Sequence, residues 1–235
     1  MRVLVLGASG ATGKLVVKQL IKRQINTRII IRKSAVLHES IKESPLVEIV
    51  AGNINELDDL EMKRLTNDCD VVISCLGHNP TFKGMFGQPR DLVFQAIKRI
   101  SETIENKKVK LILMSTTGYT NPLIGETHSV GETIIHSILK IFLPPHRDNI
   151  KAANYLINEI GTKDEMIEWV IVRPDTLVNH EEKSSYEVYE SPIRSPLFNA
   201  GKTSRMNVSH FMIDLVTVDQ TWTNWLFKTP VVYNN

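Results

Sequence analysis

The feature that most constrains the fold is a glycine-rich segment near the N-terminus, which reads V-L-V-L-G-A-S-G-A-T-G-K. Its glycines follow a short apolar run and open a segment with helical spacing of apolar residues. In such a turn the first glycine permits a tight bend, the second lets the backbone approach a pyrophosphate, and the third lets the helix pack closely on the sheet. Exposed N–H groups and the helix dipole then hold the anion. The segment predicts a strand–turn–helix unit that binds a dinucleotide through Gly7, Ala8, Ser9, Gly10, Ala11, Thr12 and Gly13.

Short β-branched runs alternate with helical patterns as far as Pro174. Runs of Val, Ile and Leu are typical of strands buried on both faces of a parallel sheet, and the alternation implies βαβ units with right-handed crossovers. We therefore predict one domain over residues 1–235, an α/β fold that is Rossmann-like and doubly wound, with a mainly parallel sheet and helices on both faces. The expected strands are Val3–Leu6, Thr27–Ile31, Val47–Val50, Val71–Ser74, Leu111–Met114 and Trp169–Val172, and the expected helices are Lys14–Gln24, Leu57–Leu65, Leu92–Glu105 and Ile150–Ile160.

The pattern changes in the C-terminal part of the chain. Residues 179–204 are polar and contain prolines, so we expect them to be irregular or short-stranded. Ser204 is a candidate cap for a helix that runs to about Val216, and P-V-V-Y near the end is a candidate last strand. Because open α/β sheets bind ligands at the carboxyl ends of their strands, we expect the C-terminal part (about 175–235) to cover the substrate side.

Composition narrows the class of protein. The 28 Lys and Arg against 26 Asp and Glu leave a net charge of +2, too small to indicate nucleic-acid binding by electrostatics alone. No apolar run approaches the length of a membrane span. Cys69 and Cys75 form neither a C-x-x-C pair nor a disulfide framework, which favours a cytoplasmic location. The seven histidines lack metal-binding spacing, so no metal site is expected.

The end of the second expected strand indicates which dinucleotide is preferred. NAD sites usually carry Asp or Glu about 20 residues after the glycine turn, where the carboxylate binds the ribose 2′-hydroxyl. This chain instead reads I-I-I-R-K-S, with Arg32 and Lys33 at that point. A guanidinium can bind a 2′-phosphate through two hydrogen bonds. We therefore expect NADP, as NADPH, rather than NAD.

Further motifs carry a resemblance to a known family. They are R-K-S after the second strand, G-N-I at 52–54, S-C-L-G-H at 74–78, M-S-T-T-G at 114–118, L-P-P-H-R-D-N-I at 143–150 and W-V-I-V-R-P at 169–174. With the glycine turn, these motifs resemble the atypical short-chain dehydrogenase/reductases, in the NAD(P)H-binding group of NmrA-like and biliverdin reductase B-like proteins.

The resemblance implies roles for residues beyond the glycine turn. It implies that Asn53 lies beside the adenine ring, that Ile54 packs on that ring and that Ser115 lies near the nicotinamide. It further implies that Cys75, Leu76 and Gly77 line the adenosine ribose and pyrophosphate, and that the backbone at Arg173 and Pro174 approaches the carboxamide.

The chain departs from the family at its usual proton donor. Better-known members carry Tyr-x-x-x-Lys, in which the lysine lowers the tyrosine pKa and the tyrosine passes a proton to the substrate carbonyl. Here the helix reads R-D-N-I-K, so Lys151 aligns with the lysine but Arg147 stands in the tyrosine position. Tyr119, Tyr155, His146 or a water are candidate substitutes. Biliverdin reductase B-like proteins also lack this tyrosine, so reduction is not excluded.

Two further segments have more than one interpretation. His78 and Asn79 follow the fourth strand, where they would either meet substrate or serve as ordinary polar loop residues. The strongly apolar segment 130–143 is a candidate pocket wall, lid, subunit contact or plain core helix.

The expected function is hydride transfer from NADPH to a small carbonyl, quinone or flavin-type substrate. The candidate catalytic residues are Ser115, Lys151 and Tyr119, and the candidate substrate residues are His78, Asn79 and His146. The alternative is a non-enzymatic NADP-binding sensor or interaction module, and an epimerase or dehydratase is weaker because it too uses the missing tyrosine. The expected state is a monomer or homodimer that meets a small-molecule substrate.

Overall fold

The computed structural model describes residues 1–78, Thr81 and 86–235. Its strands are β1 (Arg2–Leu6), β2 (Asn26–Ile31), β3 (Val47–Ala51), β4 (Val71–Ser74), β5 (Val109–Met114), β6 (Ile167–Pro174), β7 (Thr176–Val178), β8 (Tyr186–Tyr189), β9 (Lys202–Ser204) and β10 (Val231–Asn234). Its helices are α1 (Gly13–Lys22), α2 (Glu39–Lys42), α3 (Asp59–Thr66), α4 (Leu92–Thr103), α5 (Val130–Phe142), α6 (Pro144–Asn154), α7 (Arg205–Thr217) and α8 (Asp219–Trp225).

The central sheet has eight strands in the order β3-β2-β1-β4-β5-β6-β10-β8. All neighbouring pairs are parallel except β10 with β8. Strand order reverses between β1 and β4, which is the topological switch point where such sheets bind ligands. The Rossmann-like, mainly parallel fold predicted from the alternating pattern is confirmed.

Each face of the sheet is covered by helices over its own apolar core. One core joins Leu4, Leu111 and Trp169 to buried residues of α3, α4 and α6. The other joins Val5 and Val170 to α1 and α7. The central strands are buried on both faces, as the continuous Val, Ile and Leu runs predicted.

Three of the expected helices agree with the structure to within two residues at each end, and the fourth does not. The pattern predicted Ile150–Ile160, but α6 begins six residues earlier, at Pro144, and ends at Asn154. Two prolines can begin this helix because the N–H groups of the first helical residues have no partner within the helix. Proline lacks only that N–H, so no hydrogen bond is lost. Residues Tyr155–Ile160 continue it as a π-helical turn.

The C-terminal part extends the sheet. β10 adds to β6, β8 pairs antiparallel with β10, and β7 and β9 form a separate two-stranded ladder. Ser204 caps α7 by accepting from the Asn207 N–H at 3.0 Å, as predicted, and α7 packs against α1. Among the described residues, no helix has both the length and the apolar character needed to cross a membrane.

Candidate functional site

The glycine turn joins β1 to α1, and two of its glycines are required by backbone packing. Gly7 has a φ of +72°, and a Cβ there would lie 2.5 Å from the Cys75 carbonyl oxygen. A Cβ on Gly13 would lie 2.1 Å from the Gly7 carbonyl oxygen. Both positions therefore exclude any side chain, because the backbone just after β4 and the backbone of the turn itself occupy the space. Gly10 differs, since a Cβ there would approach only the Gly7 oxygen, at 3.1 Å.

The turn leaves hydrogen-bond donors at the positive end of α1. Gly10 donates to the Gly7 oxygen at 2.9 Å, while the N–H groups of Ser9, Ala11 and Thr12 donate to no acceptor in the described part of the chain. No side chain caps α1, and its first turn holds no acidic residue. Free N–H groups and the helix dipole are the elements of an anion site.

A cavity of about 420 Å³ lies at the switch point beside this turn. That volume is within the range of pockets that hold small ligands. Of the fifteen residues predicted to bind cofactor, nine line this cavity and six do not. The lining includes Gly7, Ser9, Gly10, Arg32, Asn53, Ile54, Cys75, Leu76 and Gly77, while Ala8, Ala11, Thr12, Gly13, Lys33 and Pro174 do not line it.

Three of the four turn residues that do not line the cavity are buried, and the fourth, Ala11, is exposed. Ala8 is fully buried in the core shared with α1, and Thr12 and Gly13 are buried behind the turn. Sequence reasoning missed Gln88, Pro89 and Leu92, which also line the cavity. These residues lie outside the glycine turn and the strand ends, so no motif marked them.

Arg32 and Lys33 differ in position although both are exposed. Arg32 lines the cavity and forms no ion pair with a described residue. Lys33 does not line the cavity. Asn53 also lines the cavity. Its side-chain amide donates to Glu56 at 2.8 Å and accepts from the Asn55 N–H at 3.2 Å. The cavity lining therefore includes an exposed cation and an amide that is hydrogen-bonded within its own loop.

Ser115 lies at the carboxyl end of β5, outside the cavity. Its N–H donates to the Val172 oxygen at 2.8 Å. Its hydroxyl is buried and has no hydrogen-bond partner among the described residues. The Pro174 oxygen accepts from the Thr117 N–H at 3.3 Å, which joins the loop after β5 to the end of β6.

The other two candidate catalytic residues have partners within the protein. Lys151 pairs with Asp91 at 2.8 Å and lies 5.8 Å from the Phe94 ring centroid. Tyr119 is 2% exposed and donates its hydroxyl to Asn154 at 3.1 Å. Burial raises the pKa of Tyr119 to about 12, although the Arg173 charge opposes the shift. Neither side chain lines the cavity.

His78 lines the cavity, and its Nε2 lies 2.8 Å from a carboxylate oxygen of Asp148. Asp148 is fully buried and also accepts from the backbone N–H groups of Val93 and Phe94 at the start of α4. This carboxylate thus joins the loop after β4 to α4 and α6. Asn79, the other predicted substrate residue of this loop, lies outside the described residues.

His146 faces other histidines rather than the cavity. Its Nε2 lies 3.3 Å from Nδ1 of His136, and the His128 ring stacks on His136 at 4.1 Å between centroids. Burial lowers the pKa of His146 to about 4, and the neighbouring His136 contributes further. His146 is therefore neutral near pH 7. The described His, Cys, Asp and Glu side chains form no cluster of three suited to a metal ion.

Arg173 has a role that motif reasoning did not identify. The resemblance placed its backbone near a carboxamide, but its side chain is fully buried in a bidentate pair with Glu126, at 2.6 and 2.7 Å. It also donates to the backbone oxygens of Thr229, Tyr119 and Glu190. All five guanidinium N–H groups thus have acceptors. The arginine joins β6 to the loop after β5 and to the ends of two C-terminal strands.

Comparison with known proteins agrees with this geometry. A family model described as NAD(P)H-binding matches residues 7–219. Divinyl chlorophyllide a 8-vinyl-reductase, a chloroplastic protein of Arabidopsis thaliana, is 38% identical over 84 residues, which are 32% of this chain and 20% of that protein. An uncharacterized chloroplastic protein of the same plant is 32% identical over 81 residues, or 34% of this chain and 29% of that one. These matches span less than a third of either relative.

Solved structures share the fold over nearly the whole chain. A short-chain dehydrogenase/reductase from Veillonella parvula in complex with NADP has a TM-score of 0.66 at 17% identity, covering 99% of this chain and 94% of that one. A putative NADH-flavin reductase from Streptococcus pneumoniae has a TM-score of 0.69 at 16% identity, with full coverage of both chains. An anaerobillin reductase from Escherichia coli O157:H7 has a TM-score of 0.67 at 13% identity, covering 100% and 97%. With the family model spanning most of its length, the chain belongs to the NAD(P)H-binding family.

Proposed function

We propose that this protein is an NADPH-dependent reductase of a small carbonyl, quinone or flavin-type substrate. The observation that carries the proposal is the cavity itself, whose lining includes Ser9 and Gly10 of the glycine turn, at the positive end of α1, and Arg32, which pairs with no described carboxylate. A pyrophosphate fits the first feature and a ribose 2′-phosphate fits the second. No carboxylate stands at the end of β2 to select the 2′-hydroxyl of NAD.

The chain's own groups would hold the cofactor along the carboxyl edge of the sheet. The turn would bind the pyrophosphate, Ile54 would pack on the adenine, and Cys75, Leu76 and Gly77 would line the ribose. The cofactor supplies a hydride when bound. The buried hydroxyl of Ser115 would orient the carboxamide or the substrate, and the backbone at Pro174 would lie on the same side.

We propose that the proton in this reduction comes from solvent. Arg147 stands in the position of the usual tyrosine and keeps its proton at any working pH. Tyr119 is buried against Asn154, and His146 is neutral beside His136. Lys151 is paired with Asp91, so it would assist through a ribose hydroxyl only if that pair opened.

Tyr119→Phe tests this assignment. We expect kcat/KM to fall by less than tenfold, because the hydroxyl bonds to Asn154 rather than to a reacting group. The free energy of unfolding should fall by about 1 kcal/mol, the usual net contribution of one hydrogen bond. Asn154→Ala is the matched control, since it removes the same hydrogen bond from the other side. A loss of about 10²–10⁴ in kcat/KM for Tyr119→Phe alone would identify Tyr119 as the general acid.

Turnover tests the proposed activity directly. Purified protein is mixed with NADPH and a panel of flavins, quinones and aldehydes, and NADPH oxidation is followed by absorbance. We expect oxidation that requires one substrate class and saturates with its concentration. Tight NADPH binding with no turnover across the panel would favour the sensor alternative.

Arg32→Asp tests cofactor choice. The change removes charge-assisted hydrogen bonds to the 2′-phosphate and adds repulsion, so we expect NADPH to bind about 10- to 100-fold more weakly. NADH binding should stay the same or improve. Lys33→Asp makes the same charge change at a residue that does not line the cavity, and we expect a smaller effect. Calorimetric titrations of wild type and the two variants with NADPH and NADH measure these affinities. Equal losses of NADPH affinity in both variants would show that positive charge in this region acts at a distance, and that Arg32 makes no direct contact with the 2′-phosphate.

The sensor alternative rests on one specific observation. Ser115, Lys151 and Tyr119 all lie outside the described cavity, and of the candidate substrate residues in the described part of the chain only His78 lines it, so most of the lining belongs to the nucleotide end of the site. A non-enzymatic NADP-binding module needs only that end.

For location, we propose a reducing compartment such as the cytoplasm, since Cys69 and Cys75 are both free and buried. A monomer or homodimer remains the proposed state.

A further inference from the structure

Helix α5 exposes a row of large apolar side chains, while the residues it buries in the described structure, Glu132 and His136, are polar. Val130, Ile134, Ile138 and Phe142 recur at every fourth position and are 80%, 58%, 50% and 68% exposed. We call these four residues the outer face of α5. A helix at a protein surface normally points such residues toward the core.

The buried side of α5 holds polar residues instead. Glu132 accepts from the Ser129 N–H at 2.9 Å in a capping box and from the Ser195 hydroxyl. His136 bonds to His146 and lies beside Gly118, three residues after Ser115. These contacts fix the rotation of α5 about its own axis. The outer face therefore cannot turn inward without leaving a carboxylate and an imidazole unpaired.

The exposed apolar surface extends beyond α5. The ring of Phe198 is 65% exposed and lies beside Gly131, where a Cβ would be 3.4 Å from it. The loop that carries Phe198 also exposes Ile193, at 54%. Contiguous apolar surface of this kind on a folded protein marks an interaction site.

The exposed charges on these segments are all positive. Lys140, Arg147 and Arg194 are exposed and form no ion pair with any described residue. The acidic residues of segments 121–147 and 191–201 are Glu126 and Glu132. Glu132 is buried, the Glu126 side chain is 8% exposed, and both carboxylates are hydrogen-bonded. The surface thus combines large apolar side chains with unneutralised cations.

We propose that the outer face of α5, with Phe198, docks on an anionic lipid surface. The apolar side chains would enter the boundary between headgroups and acyl chains, and the cations would meet lipid phosphates. A second copy of the chain fits this surface less well. Twofold association places the same patch on both subunits, so the cations would face one another with no exposed carboxylate to pair them. The inference goes beyond the proposed reductase activity and does not depend on it.

Vesicle flotation tests the proposal with the full chain. The probes are vesicles of phosphatidylcholine alone and vesicles with about a third phosphatidylglycerol, at low and high salt. We expect binding to the anionic vesicles that weakens at high salt, because surface charge is screened there. Ile134→Gln with Ile138→Gln should reduce the bound fraction at least tenfold. Leu60→Gln is the matched control, because Leu60 is 80% exposed on α3, outside this surface.

A second pair of variants tests the charges. Lys140→Gln with Arg194→Gln should weaken binding to anionic vesicles severalfold, while Lys42→Gln with Lys98→Gln should not. Circular dichroism confirms that each variant is folded before its binding is compared. Equal binding by wild type and by the Ile134→Gln, Ile138→Gln variant would overturn the proposal. It would also be overturned if the wild type did not bind anionic vesicles, and a dimer in light scattering that the same variant dissociates would then assign the surface to a second copy.

Discussion

Replacing Glu126 with alanine should lower the free energy of unfolding by about 3–5 kcal/mol, the typical result of removing one partner from a buried ion pair. Arg173 is fully buried, so the variant would leave its charge without a carboxylate. Three backbone oxygens would still accept from the guanidinium, but none carries a full compensating charge. Denaturant unfolding of wild type and variant measures the difference.

Glu190→Ala is the matched control for that prediction. Glu190 pairs with Lys228 at 3.5 Å, and both side chains are about half exposed. An exposed pair contributes about 0–1 kcal/mol, so the control should stay near wild-type stability. Similar losses in Glu126→Ala and Glu190→Ala would contradict the structural role given to the buried pair.

The same pair predicts a dependence of stability on pH. Burial acts to raise the pKa of Glu126, but hydrogen bonds and charge from Arg173 outweigh it, so the pKa is lowered on folding. A carboxylate with a lowered pKa stabilises the fold above its unfolded pKa, near 4.3, and loses that contribution as pH falls through the folded value. Glu126→Gln should therefore flatten the loss of stability below about pH 4.3.

Gly10→Val should abolish NADPH binding while the protein stays folded. Gly10 lines the cavity, and an added side chain would take space that the pyrophosphate needs. Its Cβ would approach only the Gly7 oxygen, at 3.1 Å, so the turn has to shift by a few tenths of an ångström. Thermal melts with and without NADPH measure the effect. Wild type should gain about 2.7 kcal/mol at 100 times Kd, and the variant should gain nothing.

Ala11→Val is the control for Gly10→Val. It adds a branched side chain to the same turn at an exposed residue that does not line the cavity. This variant should keep most of the NADPH-dependent gain. If Gly10→Val kept the wild-type gain, the pyrophosphate would not bind at this turn.

Most of the strands and helices could be predicted from the sequence, because each depends on a short apolar pattern and several such patterns indicate the same fold. β1, β4 and β5 are runs of Val, Ile and Leu buried on both faces, and the periodicity of Leu92–Glu105 gave α4 within two residues at its C-terminal end. The start of α6 was missed because apolar periodicity begins only after its first turn. There the two prolines rather than apolar residues define the helix.

The candidate site was less accessible to sequence reasoning. Motifs predicted that the glycine turn and Arg32 lie at the candidate site, because the residues that phosphate-binding motifs use are close together in sequence. Side-chain direction is set by tertiary packing instead. Tyr119 turns into the core toward Asn154, and Arg173 turns toward Glu126, 47 residues away in the chain. Asp148 belongs to a motif that carried the resemblance, yet its position under α4 depends on a long-range contact.

Calorimetric titration of the wild-type protein with NADPH and, separately, with NADH tests the central claim most directly. We expect NADPH to bind at one site per chain and at least about tenfold more tightly than NADH, since in our proposal Arg32, which lines the cavity, would bind the 2′-phosphate that only NADPH carries. No heat of binding with either dinucleotide, or NADH binding as tight as NADPH binding, would contradict it.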